Sequence, residues 1–266
     1  MQKIQSNEEE KKMAKSISEM KIVNFGDSIF GKCRPPFDIS TFISEITGAK
    51  TYNVAFGGCR MSEHTLKHFD RFSMYRLADA IVDRDFTLQD ESFSYEPIGE
   101  ALPDYFPEGL ATLKGIDFSD VDIITIAYGT NDFTAGRKLE GADRYDVTSF
   151  AGALRYSVEK ISKAYPHISI VLCSQTYRFW RENGVAVSDS NTRVIKGNKL
   201  TDYVRKTEEL AKEYGLFYID NYNGKVINEG NRDICFSDTD GTHPIVPGLK
   251  LIAENVSREL VEKFGK

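Results

Sequence analysis

The sequence predicts an α/β fold of three layers, with a mostly parallel five-stranded sheet between two layers of helices. Three observations point there. Five short runs are rich in β-branched and aromatic residues, segments with apolar residues three and four apart separate them, and no Gly/Ser-rich linker or internal repeat divides the chain. Strands that alternate with helices are joined by crossovers, and a crossover returns the chain in the same direction.

Residues 1–20 are rich in Glu and Lys with a few apolar positions (Met13, Ile17, Met20), which suits a surface helix or linker ahead of one domain at 21–266. KIVNF at 21–25 is the first expected strand. Ile39, Phe42, Ile43 and Ile46 then make one helical stripe, stopped by Gly48. TYNVAF at 51–56 is the second strand. An insertion at about 60–120 follows, helical over Met74 to Val82 and Tyr105 to Leu113 and loop-like from Asp90 to Leu102. DIITIAY at 122–128 is the third strand, and Phe150, Leu154, Val158 and Ile161 stripe the next helix. ISIVLCS at 168–174, a helix from Leu200 to Tyr214 closed by Gly215, and LFYID at 216–220 follow in turn. The last helix carries Leu249, Ile252, Val256 and Leu260, with Pro247 and Gly248 near its start.

Composition excludes several classes of function. The 266 residues are 41% hydrophobic and 28% charged with a net charge of -6, and no basic run offers a face to nucleic acid or an anionic membrane. No apolar stretch approaches the roughly 18 residues that span a bilayer, and the polar first 20 residues lack a signal peptide's apolar core. These features predict a cytoplasmic protein, or a domain of a larger cell-surface or phage tail protein. Cys33, Cys59, Cys173 and Cys235 form no C-x-x-C pair, so free thiols are expected, with a Cys33–Cys59 bridge as the alternative.

Parallel sheets bind ligands at the carboxyl ends of their strands. The residues that follow each expected strand are Gly26-Asp27-Ser28, Gly57-Gly58-Cys59, Gly129-Thr130-Asn131-Asp132, Tyr177 to Arg181, and Asp240-Gly241-Thr242-His243-Pro244. A serine, a histidine, a carboxylate, an amide and paired glycines are the parts of acyl transfer. A serine hydroxyl needs a base, the base needs a carboxylate to fix its tautomer, and the oxyanion needs N–H donors.

GDS at 26–28, NVAFGG at 53–58, GTND at 129–132 and DGTH at 240–243 resemble, in order, the four sequence blocks of the SGNH/GDSL hydrolases. The resemblance spans about residues 21–264 and implies a flavodoxin-like α/β/α fold. It implies Ser28 as nucleophile, His243 as base and Asp240 as its orienting carboxylate. The implied oxyanion donors are the Ser28 and Gly58 backbone N–H groups and the Asn131 side chain, with Gly57 as substitute for Gly58. Block one reads GDSIF, where other members have GDSL.

The implied activity is ester hydrolysis through an acyl-serine intermediate, on a short-chain or carbohydrate O-acetyl ester, without metal or cofactor. The expected partner is that small-molecule or glycan ester. A lipase, lysophospholipase or thioesterase would use the same residues, and a non-catalytic carbohydrate-binding module would use the same fold. Tyr177 and Trp180 are expected to stack on a sugar ring. His64 and His68, four apart without HExxH, read as a solvated helix face, and Asp27 and Asp132 as loop-orienting carboxylates.

Overall fold

The apolar run after Met20 forms β1 (Lys21–Gly26), and β2 (Lys50–Asn53) and β3 (Ile123–Ala127) pair with it on either side, both parallel. The computed structural model describes residues 15–94, 99–224 and 226–265, so the segment expected at 1–20 lies largely outside the described residues. Its described end makes one 3-10 turn at Ile17–Glu19. With β4 (Ser169–Cys173) and a last short strand, Phe217–Ile219, the main sheet has five strands, all parallel. Ile22, Val23, Phe25, Ile123, Ile124 and Ile126 are buried, because helices cover both faces and leave no solvated side to alternate with.

Two helices stop where the sequence says they should. Helix α1 (Ser28–Gly31) is a single turn at the end of β1, and α2 (Ile39–Thr47) follows it. The Asp38 carboxylate caps α2 by accepting from the Ser40 and Thr41 N–H groups, and Gly48 ends it at φ 74.

The insertion between β2 and β3 carries α3 (Lys67–Asp70), α4 (Met74–Asp83), α5 (Thr87–Glu91) and α6 (Phe106–Lys114). Four phenylalanines fasten it to the sheet edge. Phe56, just after β2, packs on Phe72 and Phe106 at centroid distances of 4.8 and 5.0 Å, and Phe69 meets Phe106 at 6.2 Å. Each such buried ring stabilises the fold by about 1.5–3 kcal/mol relative to an exposed one.

After β3 come α7 (Thr130–Thr134) and α8 (Phe150–Ala164). The run after β4 departs from expectation. It is half of an antiparallel hairpin, β5 (Phe179–Glu182) and β6 (Val185–Asp189), outside the main sheet. Asn183 and Gly184 turn it with φ of 50 and 77. Two positive φ values suit the right-handed twist of a hairpin. Helix α9 (Leu200–Tyr214) ends at Gly215, φ 65, and precedes the last sheet strand, β7 (Phe217–Ile219). The short α10 (Arg232–Cys235) and the long α11 (Val246–Phe264) complete the chain. Helix α11 packs on α2, while α8 packs between α4 and α9, and these groups supply the two helical layers.

Candidate active site

Ser28 is the first residue of α1, directly beyond β1. Asp27 precedes it, and its Oδ1 accepts from the Ile29 N–H at 3.0 Å, so the carboxylate shapes the turn that presents the serine. A first-turn N–H has no partner within its helix. None of the described groups accepts from the Ser28 N–H.

Ser28 and His243 are 215 positions apart in sequence, yet Ser28 Oγ and His243 Nε2 are 2.8 Å apart. His243 Nδ1 is 2.6 Å from Asp240 Oδ2, and Asp240 Oδ1 accepts from the Thr242 and His243 backbone N–H groups at 2.8 and 3.1 Å. The D-x-x-H spacing thus folds into a tight loop in which the carboxylate fixes both the backbone and the ring. Burial, the largest influence, lowers the His243 pKa below that of an ordinary histidine; the Asp240 carboxylate opposes this, and Lys32 and Arg178 add to it. Burial alone would raise the Asp240 carboxyl, but its hydrogen bonds to His243 and Thr242 outweigh that and hold it at about 2. With Asp240 ionised, the proton on Nδ1 stays there and the Nε2 lone pair faces Ser28 Oγ.

Gly58 and Asn131 complete the rim. Gly58 has φ 78, and a Cβ there would come within 2.7 Å of Phe69 Cε1, so both backbone and space require glycine. None of the described groups accepts from its N–H. The Asn131 amide donates to Cys59 O at 2.8 Å, which leaves its second N–H free. The Gly57 N–H is already committed, donating to Tyr105 Oη at 2.9 Å. Behind the rim, the buried Asp132 carboxylate accepts from the Met61 and Ser62 N–H groups at 3.0 Å each and from Ser62 Oγ at 2.5 Å.

Residues 25–251 match the GDSL-like lipase/acylhydrolase family. The chain belongs to that family. No curated protein matches it in sequence. Solved structures share the fold of this acylhydrolase family member at low identity. A Lactobacillus plantarum protein is 17% identical, with a TM-score of 0.62 over 93% of this chain and 99% of its own. A lipase/acylhydrolase from Enterococcus faecalis is 16% identical, with a TM-score of 0.51 over 93% of this chain and 98% of its own. A salicylyl-acyltransferase of a tetracycline biosynthetic pathway is 18% identical, with a TM-score of 0.54 over 92% of this chain and 55% of its own.

In this acylhydrolase-family chain, Ser28, Gly57, Gly58, Asn131 and His243 line one cavity of about 660 Å³, together with Lys32, Arg60, His64, Glu100, Pro103, Tyr105, Thr134 and Ala135. Tyr177 and Trp180, expected on the substrate side, are not among these residues. Tyr177 is 2% exposed, and its hydroxyl meets Asp189 and Arg232. Trp180 lies against the Arg178 and Arg193 guanidinium groups at 4.4 and 4.7 Å from its ring centroid. Pairing of β5 with β6 holds both residues in the second sheet or at its base.

The aromatic ring in the cavity is instead Tyr105, delivered by the insertion and stacked under Arg34 at 4.2 Å. His64, expected on a solvated helix face, stands before α3, half-buried in the cavity wall, and its Nδ1 accepts from the Leu66 N–H. His68 lies on α3 and meets the exposed Glu100 carbonyl. All four cysteines are free, so the Cys33–Cys59 bridge is absent. Among the described residues no cluster of His, Cys, Asp or Glu has a metal-holding arrangement, and no helix is long and apolar enough to cross a membrane.

Proposed function

We propose that this chain hydrolyses carboxylic esters through an acyl-serine intermediate, with Ser28 as nucleophile, His243 as base and Asp240 as the orienting carboxylate. The observation that carries the reading is the unbroken line of hydrogen bonds from Ser28 Oγ through the His243 ring to Asp240. Ser28 Oγ attacks the ester carbonyl carbon while its proton passes to His243 Nε2. The carbonyl oxygen becomes an oxyanion and accepts from the Ser28 N–H, the Gly58 N–H and the free Asn131 N–H. The imidazolium then gives its proton to the leaving alcohol. Water, deprotonated by the same ring, attacks the acyl-serine, and the carboxylic acid departs as the proton returns to Ser28.

The substrate is a short-chain or carbohydrate O-acetyl ester. Support comes from the cavity, whose lining includes polar side chains of Arg60, His64, Tyr105, Asn131 and Lys32 that can orient a small polar ester. The test is hydrolysis of p-nitrophenyl acetate and butyrate by wild type and Ser28→Ala. Wild type turns the esters over and Ser28→Ala loses about a thousandfold or more in kcat. Equal rates in the two proteins would defeat the reading.

A further inference from the structure

The insertion contributes Arg60, His64, Glu100, Pro103 and Tyr105 to the cavity, facing a wall made by the motif loops with His243 and Lys32. The leaving alcohol must lie against His243, which protonates it, and the oxyanion against Gly58 and Asn131. The acyl substituent is then left to meet the insertion.

Three side chains on that wall have donor groups left over among the described residues. The Arg60 guanidinium has no carboxylate within ion-pair distance; its one hydrogen bond is a long 3.5 Å contact to the Glu63 carbonyl, and its Nε is buried without a partner. His64 takes the Leu66 N–H on Nδ1 at 2.9 Å, so a neutral ring carries its proton on Nε2, for which no described group is an acceptor. Burial and then Arg60 lower its pKa to about 4, which keeps the ring neutral at ordinary pH. Tyr105 Oη receives the Gly57 N–H at 2.9 Å and has its own proton to give.

Tyr105 is also close to the nucleophile. A Cβ placed on Gly57 would collide with Tyr105 Oη and come within 3.2 Å of Ser28 Cβ, so hydroxyl and serine flank the same glycine. Three carboxylates lie near this wall, and Asp70 is taken up by the His64 N–H and the Tyr75 hydroxyl. Asp132 is occupied by Met61 and Ser62, and Glu100 is exposed and forms no ion pair with Arg60. Lys32, on the opposite wall, stands 3.6 Å from Asp240.

Asp132 and Asp70 act on the Arg60 charge from beyond ion-pair distance, so a bare acetyl or alkyl group would leave the guanidinium without a close anionic partner and the His64 and Tyr105 donors unanswered. We infer that the acyl group accepted here carries a carboxylate, received by Arg60 with the His64 and Tyr105 donors beside it. The inference rests on the ester-hydrolase reading, keeps its short-chain branch and sets half-esters of short dicarboxylic acids in place of O-acetyl esters.

The test pairs p-nitrophenyl esters of equal length: mono-p-nitrophenyl glutarate against p-nitrophenyl pentanoate, and mono-p-nitrophenyl adipate against p-nitrophenyl hexanoate. Rates are corrected by Ser28→Ala, and each protein is scored by the ratio of anionic to neutral kcat/KM, which does not depend on the fraction folded. Wild type favours the anionic member of at least one pair by about tenfold, the size of one charged hydrogen bond. Arg60→Gln removes that preference and Arg60→Lys keeps part of it. A wild type that prefers the neutral ester in both pairs, or a ratio unchanged in Arg60→Gln, overturns the inference and leaves the hydrolase reading standing. If no ester is turned over, the hydrolase reading fails, and binding decides the carboxylate site. Monomethyl glutarate then raises the Tm of Ser28→Ala but not of Ser28→Ala/Arg60→Gln; no rise in the first protein overturns it.

Discussion

The two walls of the cavity are held in different ways. On the motif wall, local hydrogen bonds do most of the holding. Asp27 caps α1 two residues on, and Asp240 binds the N–H groups of Thr242 and His243 and the His243 ring within four residues of chain. The insertion wall is held at long range, by Phe72 and Phe106 packed on Phe56, with Phe69 against Phe106, and by Asp132 reaching back to Met61 and Ser62. Chemistry that must be placed to a fraction of an ångström sits on short loops pinned by their own side chains. The insertion's surface is carried by packing, which tolerates change more readily.

Substitutions on the motif wall should therefore strike turnover first. Asp240→Asn keeps the loop's size but loses the charge that holds the His243 tautomer, and kcat should fall by about a thousandfold or more with little change in Tm. Steady-state kinetics beside a thermal melt checks this; a fall below tenfold would mean that Asp240 is not the orienting carboxylate. Gly58→Ala tests the joint between the walls. Its φ of 78 and the 2.7 Å approach to Phe69 make the alanine strained and crowded, so stability should drop by about 1–2 kcal/mol and activity with it. Chemical denaturation measures the first effect, and an unchanged midpoint would show that the two walls are not coupled there.

The smallest effect concerns pH. The base must be neutral to act, and the His243 pKa is lowered, so the acid limb of kcat/KM should fall below the ordinary histidine value of about 6.5. Lys32 is one of the cations that lower it, so Lys32→Ala should move that limb upward. A limb that moves down in the variant would contradict the sign.

The same contrast explains what could be read from sequence. The five runs that became the main sheet needed only their β-branched and aromatic character, and Gly48 and Gly215 marked helix ends at φ 74 and 65. Ser28, Gly58, Asn131, Asp240 and His243 stood out because short motifs at strand ends carry them. The second strand ended earlier than its apolar run, at Asn53, whose side chain bonds Phe30 O, Asp38 and the Ala55 N–H, although the Val54 and Phe56 N–H groups still donate to Asn24 O and Gly26 O at 3.1 and 2.9 Å. Arg60, His64 and Tyr105 carried no such mark, since only the packing of the insertion brings them to Ser28. The β5–β6 hairpin did carry one: Asn183-Gly184 between FWRE and VAVSD is a hairpin signature that the aromatic run obscured. That hairpin is why Tyr177 and Trp180 do not line the cavity.

The grip of Asp132 on the insertion has a consequence for how such a protein could be altered. Two of its three hydrogen bonds come from main-chain N–H groups, at Met61 and Ser62, which every residue except proline supplies. The clasp is therefore largely indifferent to side-chain identity at those positions. A different insertion could be grafted between this clasp and β3 and still find its anchor, provided neither clasped position becomes proline and Phe56 keeps aromatic partners. The motif loops and the insertion are then separable units, joined by one carboxylate that takes two main-chain N–H groups and a single serine hydroxyl.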